Sequence, residues 1–386
     1  MEQYVYLSII FFSIIIFFLH LYLIYEKFIG DYKSRKIHKY SGSLVPCINS
    51  IVSEVIHGKD VDYSTLENIK KACKNKYKRE IIEERLIYYF ENYKGEFLSK
   101  LTYLCQDIGI IQYEIKQLEN GDFFKKALAA KKLGEFRNKT CVDKLLYELS
   151  KSNSDVKYAI LLALAKIGEE NSFLCAFKNI DSEVILSERS LIEIVDSFEG
   201  DKNKIYKYMI NCENSFIASV FIKSAGNYKD ISLSHDISKY LFNENKELRI
   251  ACVKAIGNIG DETYLDDILK LLDDSEWEVR AITAKALGNF AHDKILIPLA
   301  KALSDVQWYV RYNAATSILC HEKGMSVISS VFKGEDKFSK DIIISAIENS
   351  SNNDLYLYES SNDPNKVALA IQIKQYINEK NKETCI

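Results

Sequence analysis

Proline is nearly missing from this chain, three residues in 386. So few leave little room for turn-rich loops or a β-sandwich, and helix becomes the favoured class. There is no C-x-x-C pair. The nine cysteines (Cys47, Cys73, Cys105, Cys141, Cys175, Cys212, Cys252, Cys320 and Cys385) are odd in number and widely scattered, which fits reduced core thiols better than a disulfide frame or a zinc site. Positive charge is not in excess either. A formal charge of −3 provides no global basic field, so bulk electrostatics does not suggest nucleic acid as a partner. The chain also lacks a Gly-rich phosphate loop, an H-E-x-x-H pair and a G-x-S-x-G elbow, and the expectation is a protein without catalytic residues, cofactor or metal.

One further absence is local. Between Val5 and Tyr25 there is no Asp, Glu, Lys or Arg, and Ile, Phe and Leu dominate. A helix of that length rises about 30 Å, the hydrocarbon thickness of a bilayer. Tyr4, Tyr6, Tyr22 and Tyr25 stand at its two ends, where aromatic rings anchor at the interface. A cleaved secretory signal would need a basic n-region and a small-residue cleavage site, and only Glu2 precedes the run. Lys27, Lys33, Arg35, Lys36 and Lys39 follow it. The positive-inside bias then places the chain in the plasma membrane as a single-pass protein, N-terminus outside and bulk in the cytoplasm. His20 reads as a neutral imidazole near the basic end of the span.

Internal repetition predicts the fold of the rest. The segments starting at Leu248-Arg249, Val279-Arg280 and Val310-Arg311 superimpose without a gap, so their arginines recur every 31 residues. That period with helical apolar spacing marks a stack of helix pairs. One unit reads as a helix over 264–272, a turn at 273–276 and a second helix over 277–288. The next reads 295–303, 304–307 and 308–319. In the second helix small alanines (Ala281, Ala284, Ala286) allow close approach and Ile282 and Leu287 interlock. Gly288 is expected to end it in left-handed geometry. Asp274 and Asp305, six residues before Arg280 and Arg311, are expected to cap the second helices, and with Arg249, Arg280 and Arg311 to form a structural ladder along the stack. Recurrence at one repeat position favours scaffolding over an anion-binding groove.

The strings VRAITAKALGNF at 279–290 and IPLAKALSDVQWYVRYNAAT at 297–316 resemble the HEAT-like repeats first named from phycobilisome lyases, in their aspartate, tryptophan, Val-Arg, alanine run and Leu-Gly. Weaker echoes at Lys126 with Gly134, Val156-Lys157 with Gly168, 187–198 and 216–226 extend the array to about seven units. The stretch 108–115 followed by 123–127 is similar to the entry of bacterial membrane-anchored HEAT-repeat proteins. The resemblance implies an all-α, α-solenoid fold of HEAT-like helix pairs with one N-terminal transmembrane helix. Its organisation is a transmembrane helix at 4–25, a basic juxtamembrane linker at 26–40, a helical membrane-proximal region at 41–120, the array at 121–334, and capping helices with a tail at 335–386. It also implies that the array is an assembly surface, with a link in some members to membrane glycosyltransferases of surface polysaccharide synthesis. Two enzyme groups use the fold. Nothing here marks a chromophore site of the phycobilin lyases, and the di-iron centre of deoxyhypusine hydroxylase needs several His-Glu pairs where this chain has His321-Glu322 alone.

Two remaining features sit on the surface of this scheme. The run Lys70, Lys71, Lys74, Lys76, Lys78 and Arg79 lies close to the anchor, where lysines hold a domain against anionic headgroups. A solvated helix end neutralised by Glu80, Glu83 and Glu84 is the plainer account. Ser64 and Glu67 read as a capping box. Trp277 and Trp308, the chain's two tryptophans, begin successive second helices; they read either as partner contacts or as identical packing over the neighbouring turn. The whole is expected to be a membrane-anchored cytoplasmic scaffold or adaptor for proteins that are themselves membrane-associated; the alternative is an accessory subunit of a membrane enzyme such as a glycosyltransferase, and after it a HEAT-fold lyase or metal-dependent hydroxylase.

Overall fold

A computed structural model describes residues 2–58, 61–178, 186–349 and 359–384, and among them there is no strand. Cys385 lies outside the described residues. The chain divides into two compact units, Met1–Ile185 with Phe198–Gly200, and Leu186–Ser197 with Asp201–Ile386.

The first unit starts with α1 (Glu2–Ile56), one unbroken helix of 55 residues, about 80 Å long at the α-helical rise. Its first part is apolar, long enough to cross a membrane, and unburied. Its last turns carry Ile48, Ile51, Val52 and Val55 into a core with Ile69 of α2 (Tyr63–Cys73), Ile82 and Leu86 of α3 (Lys76–Asn92) and Leu104 of α4 (Phe97–Asp107). Asn49 fixes the register, its Oδ1 accepting from Arg85 Nε at 2.7 Å and from the Tyr89 hydroxyl at 3.0 Å. The stretch 26–40, expected as a linker, is therefore helix: it lies between an apolar helix and a packed one, and the chain's Pro46 comes later and inside the helix. The capping box is not used at α2. Its N-cap is Asp62, which accepts from the Thr65 amide and from the Ser64 hydroxyl, so Ser64 serves the cap without being it.

The unit continues through α5 (Ile110–Asn120), α6 (Phe123–Glu135), α7 (Val142–Leu149), α8 (Ser154–Ile167) and α9 (Glu170–Lys178). Helices α6 and α8 pack closely, and Gly134 is the reason: a Cβ there would stand 2.6 Å from Ala163 Cα. Gly168, at φ +71°, ends α8 in the left-handed conformation.

In the second unit the helices α10 (Glu188–Asp196), α12 (Ser215–Tyr228), α14 (Lys246–Ile259), α16 (Trp277–Leu287), α18 (Trp308–Cys320) and α20 (Lys337–Glu348) pack each on the next. Between them in sequence run α11 (Lys202–Met209), α13 (Ser234–Ser238), α15 (Leu265–Lys270), α17 (Leu296–Ala302) and α19 (Gly324–Lys333). The helix pair expected at 264–288 is thus present, with its first helix shortened by 3-10 turns at Glu262–Tyr264 and Leu271–Asp273. Gly288 does not end α16 in left-handed geometry. Its φ is −63°, and its role is close approach: a Cβ would meet Ser317 Oγ at 2.7 Å. Gly226 and Gly257 stand in the same relation to Ala255 and Ala286 of the following helix. The repeat also runs one step past residue 334, since α20 packs on α18 as α18 does on α16. The last helix, α21 (Pro364–Thr384), buries Leu369, Ala370 and Ile373, and its Tyr376 hydroxyl donates to Asp341 Oδ1 at 2.9 Å.

Cys73, Cys105, Cys141 and Cys252 are buried thiols. Burial pushes Cys73 and Cys141 up to about 12 and raises Cys105 and Cys252 further, so these four are held protonated and unreactive.

Candidate partner-binding face

The three repeat arginines enter their second helices at one position, and the structure places a carboxylate of the following repeat against two of them. Arg249 Nε and Nη2 donate to the two oxygens of Asp274, both at 2.9 Å. Arg280 repeats the fork on Asp305 at 2.8 and 3.2 Å. In each arginine Nη1 also closes the turn before its own helix, donating to Asn243 and Glu244, to Asp274 and Ser275, and in Arg311 to Asp305 and Val306 carbonyls. Burial opposes ionisation of Asp305, but the Arg280 hydrogen bonds, the Gln307 amide and the charges of Arg280 and Arg311 hold its carboxyl below the ordinary range.

The ladder is present, but the aspartates are not the helix caps. The N-cap positions are Glu276 and Gln307, without side-chain caps. Asp274 and Asp305 instead accept from those two amides, at 2.9 and 2.7 Å, while the preceding arginine occupies the rest of the carboxylate.

The third rung is open. Asp336 stands where Asp274 and Asp305 predict a partner for Arg311, one period of 31 residues on. It is turned to other donors: its Oδ2 accepts from Ser304 and Ser339 hydroxyls at 2.7 and 2.6 Å, and its Oδ1 from the Phe338 and Ser339 amides. Those bonds hold its carboxyl below the ordinary range. Arg311 is left with a buried Nε that has no acceptor, and with the Phe338 ring centred 6.0 Å from its guanidinium.

Aromatic rings gather beside that open rung. Trp277 stacks on Tyr309 of the next repeat at 5.9 Å, Tyr309 meets Trp308 edge to face at 5.1 Å, and Trp308 stacks on Tyr312 at 4.9 Å. The two tryptophans are therefore not equivalent. Trp277 is half-buried under Tyr309, whereas position 340, one period of 31 residues past Tyr309, holds Lys340, and Trp308 remains 46 % exposed. Tyr309 is 58 % and Phe338 73 % exposed. The sequence reading missed Tyr309, Tyr312, Asp336 and Phe338. Extending the 31-residue period one step finds Asp336; nothing periodic announces the two tyrosines, because Glu278 and Ala281 occupy their positions one repeat earlier.

The basic run does not form one surface. Lys70, Lys71 and Lys74 are exposed, and Lys78 lies over the Tyr40 ring at 5.0 Å. Arg79 leaves the set of headgroup candidates: its guanidinium is 3.5 Å from the centre of the Tyr113 ring, Nη1 donates to the Cys73 carbonyl at 3.1 Å, and Nε is 3.6 Å from Glu83 Oε1. Desolvation by the core is offset there by an aromatic face and a carboxylate. His321 of the His-Glu pair has Nε2 3.9 Å from Asp293, and among the described residues no cluster of three or more His, Cys, Asp or Glu is placed to hold a metal ion.

Residues 219–318 match the family model of HEAT repeats. No curated protein matches the chain. Among solved structures, an engineered protein is similar at 17 % identity and a TM-score of 0.36, over 81 % of this chain and 98 % of that one. The complex of CpcE and CpcF of phycocyanin lyase from Nostoc sp. is similar at 15 % and 0.29, over 69 % and 94 %. Kap121p bound to Nup53p is similar at 12 % and 0.41, over 81 % and 37 %. The 31-residue helix pairs, the arginine–aspartate rungs and the family match agree that residues 219–318 are HEAT repeats and that the fold is an all-α solenoid.

Proposed function

We propose that this protein is a non-catalytic, membrane-tethered adaptor that binds a protein partner on the aromatic face of its second unit. The carrying observation is the open rung. Arg249 and Arg280 are saturated by internal carboxylates, while Arg311 has an unpartnered Nε beside exposed Trp308, Tyr309 and Phe338. A carboxylate flanked by apolar side chains fits that combination of charge and aromatic surface, and tryptophan, tyrosine and arginine are the residues that concentrate binding energy at interfaces. The tether is α1, whose apolar residues 4–25 are exposed and whose basic residues follow at once.

The test is affinity capture from the native host's membranes with the full chain, in detergent, beside W308A and R311A. A partner retained by the unaltered chain and reduced about tenfold or more by each variant supports the adaptor reading. Capture indifferent to both variants places the interface elsewhere and defeats it.

A further inference from the structure

The first unit holds a cavity of about 700 Å³, formed by α3, α5 and α6 with Lys33 of α1 at its edge, within the size range of small-molecule sites. Three glutamates reach it from three helices, and all are buried: Glu83, Glu114 and Glu135, with Glu83 1 % and Glu135 3 % exposed. Lys132 Nζ donates to Glu83 at 2.7 Å and to Glu114 at 3.0 Å, and Lys166 pairs with Glu135. These cations do not complete the hydrogen bonding. Glu83 Oε1 and Glu135 Oε2 are buried without a donor, and the nearest cation to the first, Arg79 Nε, is 3.6 Å away. A buried carboxylate oxygen without a donor is costly, and a ligand N–H aimed at it recovers that cost. The mouth is mixed in sign, with exposed Glu84 and Glu91 on the lining beside exposed lysines. Lys76 and Lys131 are exposed on its lining, and neither makes an ion pair among the described residues.

We propose that this cavity binds a primary-amine phosphate, its ammonium donating to Glu83 and Glu135 and its phosphate meeting Lys76 and Lys131. A bare anion is disfavoured by the acidic interior, and a bare amine leaves Lys76 and Lys131 without a partner. A quaternary ammonium has no N–H to donate. The chemistry has two sources, a soluble aminoalkyl phosphate or the headgroup of an ethanolamine phospholipid. Lys33 lies eight residues past Tyr25 on α1, about 12 Å along the helix.

Titration calorimetry on the full chain in phosphatidylcholine nanodiscs at pH 8 tests this, with O-phosphoethanolamine, n-propylamine and inorganic phosphate as probes. O-phosphoethanolamine is expected to saturate, and E83Q, E135Q and the surface pair K76A with K131A each to weaken it about tenfold. The surface pair leaves the core untouched and keeps the test decisive where a core variant fails to fold. Repeating the titration in nanodiscs containing phosphatidylethanolamine separates the sources: a weakened apparent affinity identifies the lipid headgroup as the competing occupant, and an unchanged one identifies the soluble molecule. Absence of saturable binding, equal binding of phosphate alone or of n-propylamine alone, or binding indifferent to all the variants overturns the proposal and leaves the glutamates as a hydrated structural cluster.

Discussion

At the scale of single residues, the same side chain has different energetic weight according to what the next repeat supplies. Arg280 holds a bidentate carboxylate while both partners are mostly shielded from water; Arg311 holds only backbone carbonyls. R280A is therefore expected to lower stability by about 1–3 kcal/mol, with incomplete rescue by lysine, which cannot form the fork. R311A is expected to cost less than about 1 kcal/mol. Thermal unfolding of the two variants in the same detergent decides this, and equal losses would contradict an open third rung. Glu83 makes a second case. Burial first, then repulsion from Glu114, push its carboxyl up to about 7 against the attraction of Lys132. Arg79 is on its own helix, Lys132 and Glu114 face it from α6 and α5, and the thiols Cys73 and Cys105 from α2 and α4. The folded chain thus holds this proton more tightly than the unfolded chain, whose carboxyl titrates near 4.5. Its contribution to stability is present at low pH and declines as pH rises through about 4.5 to 7. Urea unfolding at several pH values should show E83Q with a flatter slope across that window; an unaltered slope would remove Glu83 as its source.

At the scale of helices, close approach is set by what a glycine leaves out. Gly226, Gly257 and Gly288 recur with the 31-residue period, and each faces a small residue of the next helix. A Cβ at Gly257 would stand 2.7 Å from Ala286 Cβ, so G257A trades a gain in helix propensity for a clash between two packed helices. A net loss of about 1–3 kcal/mol is expected, read from the unfolding midpoint. No loss would mean that the helices separate freely. The glycines were visible in the sequence, but at Gly288 the reason was not: a glycine at a helix end suggests a left-handed cap, and only the position of Ser317 shows that contact is the constraint. Helix α1 has the same lesson. Its apolar start was legible from composition, whereas its continuation to Ile56 depends on Ile48, Ile51, Val52 and Val55 finding a core made by three later helices.

For the whole molecule, α1 makes a topological prediction. If residues 4–25 span the bilayer with the basic side inward, a cysteine placed at Glu2 is labelled by an impermeant maleimide on intact cells, and exposed Cys320 is not. The reverse pattern would invert the orientation, and release of the full chain by alkaline carbonate would remove the span itself. Much of the architecture was readable in advance, because a solenoid is local: each repeat repeats its own signature, so period, helix pairing and the arginine–aspartate spacing stand in the linear order of residues. What the order of residues does not contain is which groups go unpaired. Asp336 has the spacing of a rung and spends its oxygens on two serines instead. Glu83, Glu114 and Glu135 look like part of an ordinary charged surface, and three helices bury them together. Burial and hydrogen-bond competition are properties of neighbours distant in sequence, so the fold is written in the repeat, and the sites are decided where the repeats meet.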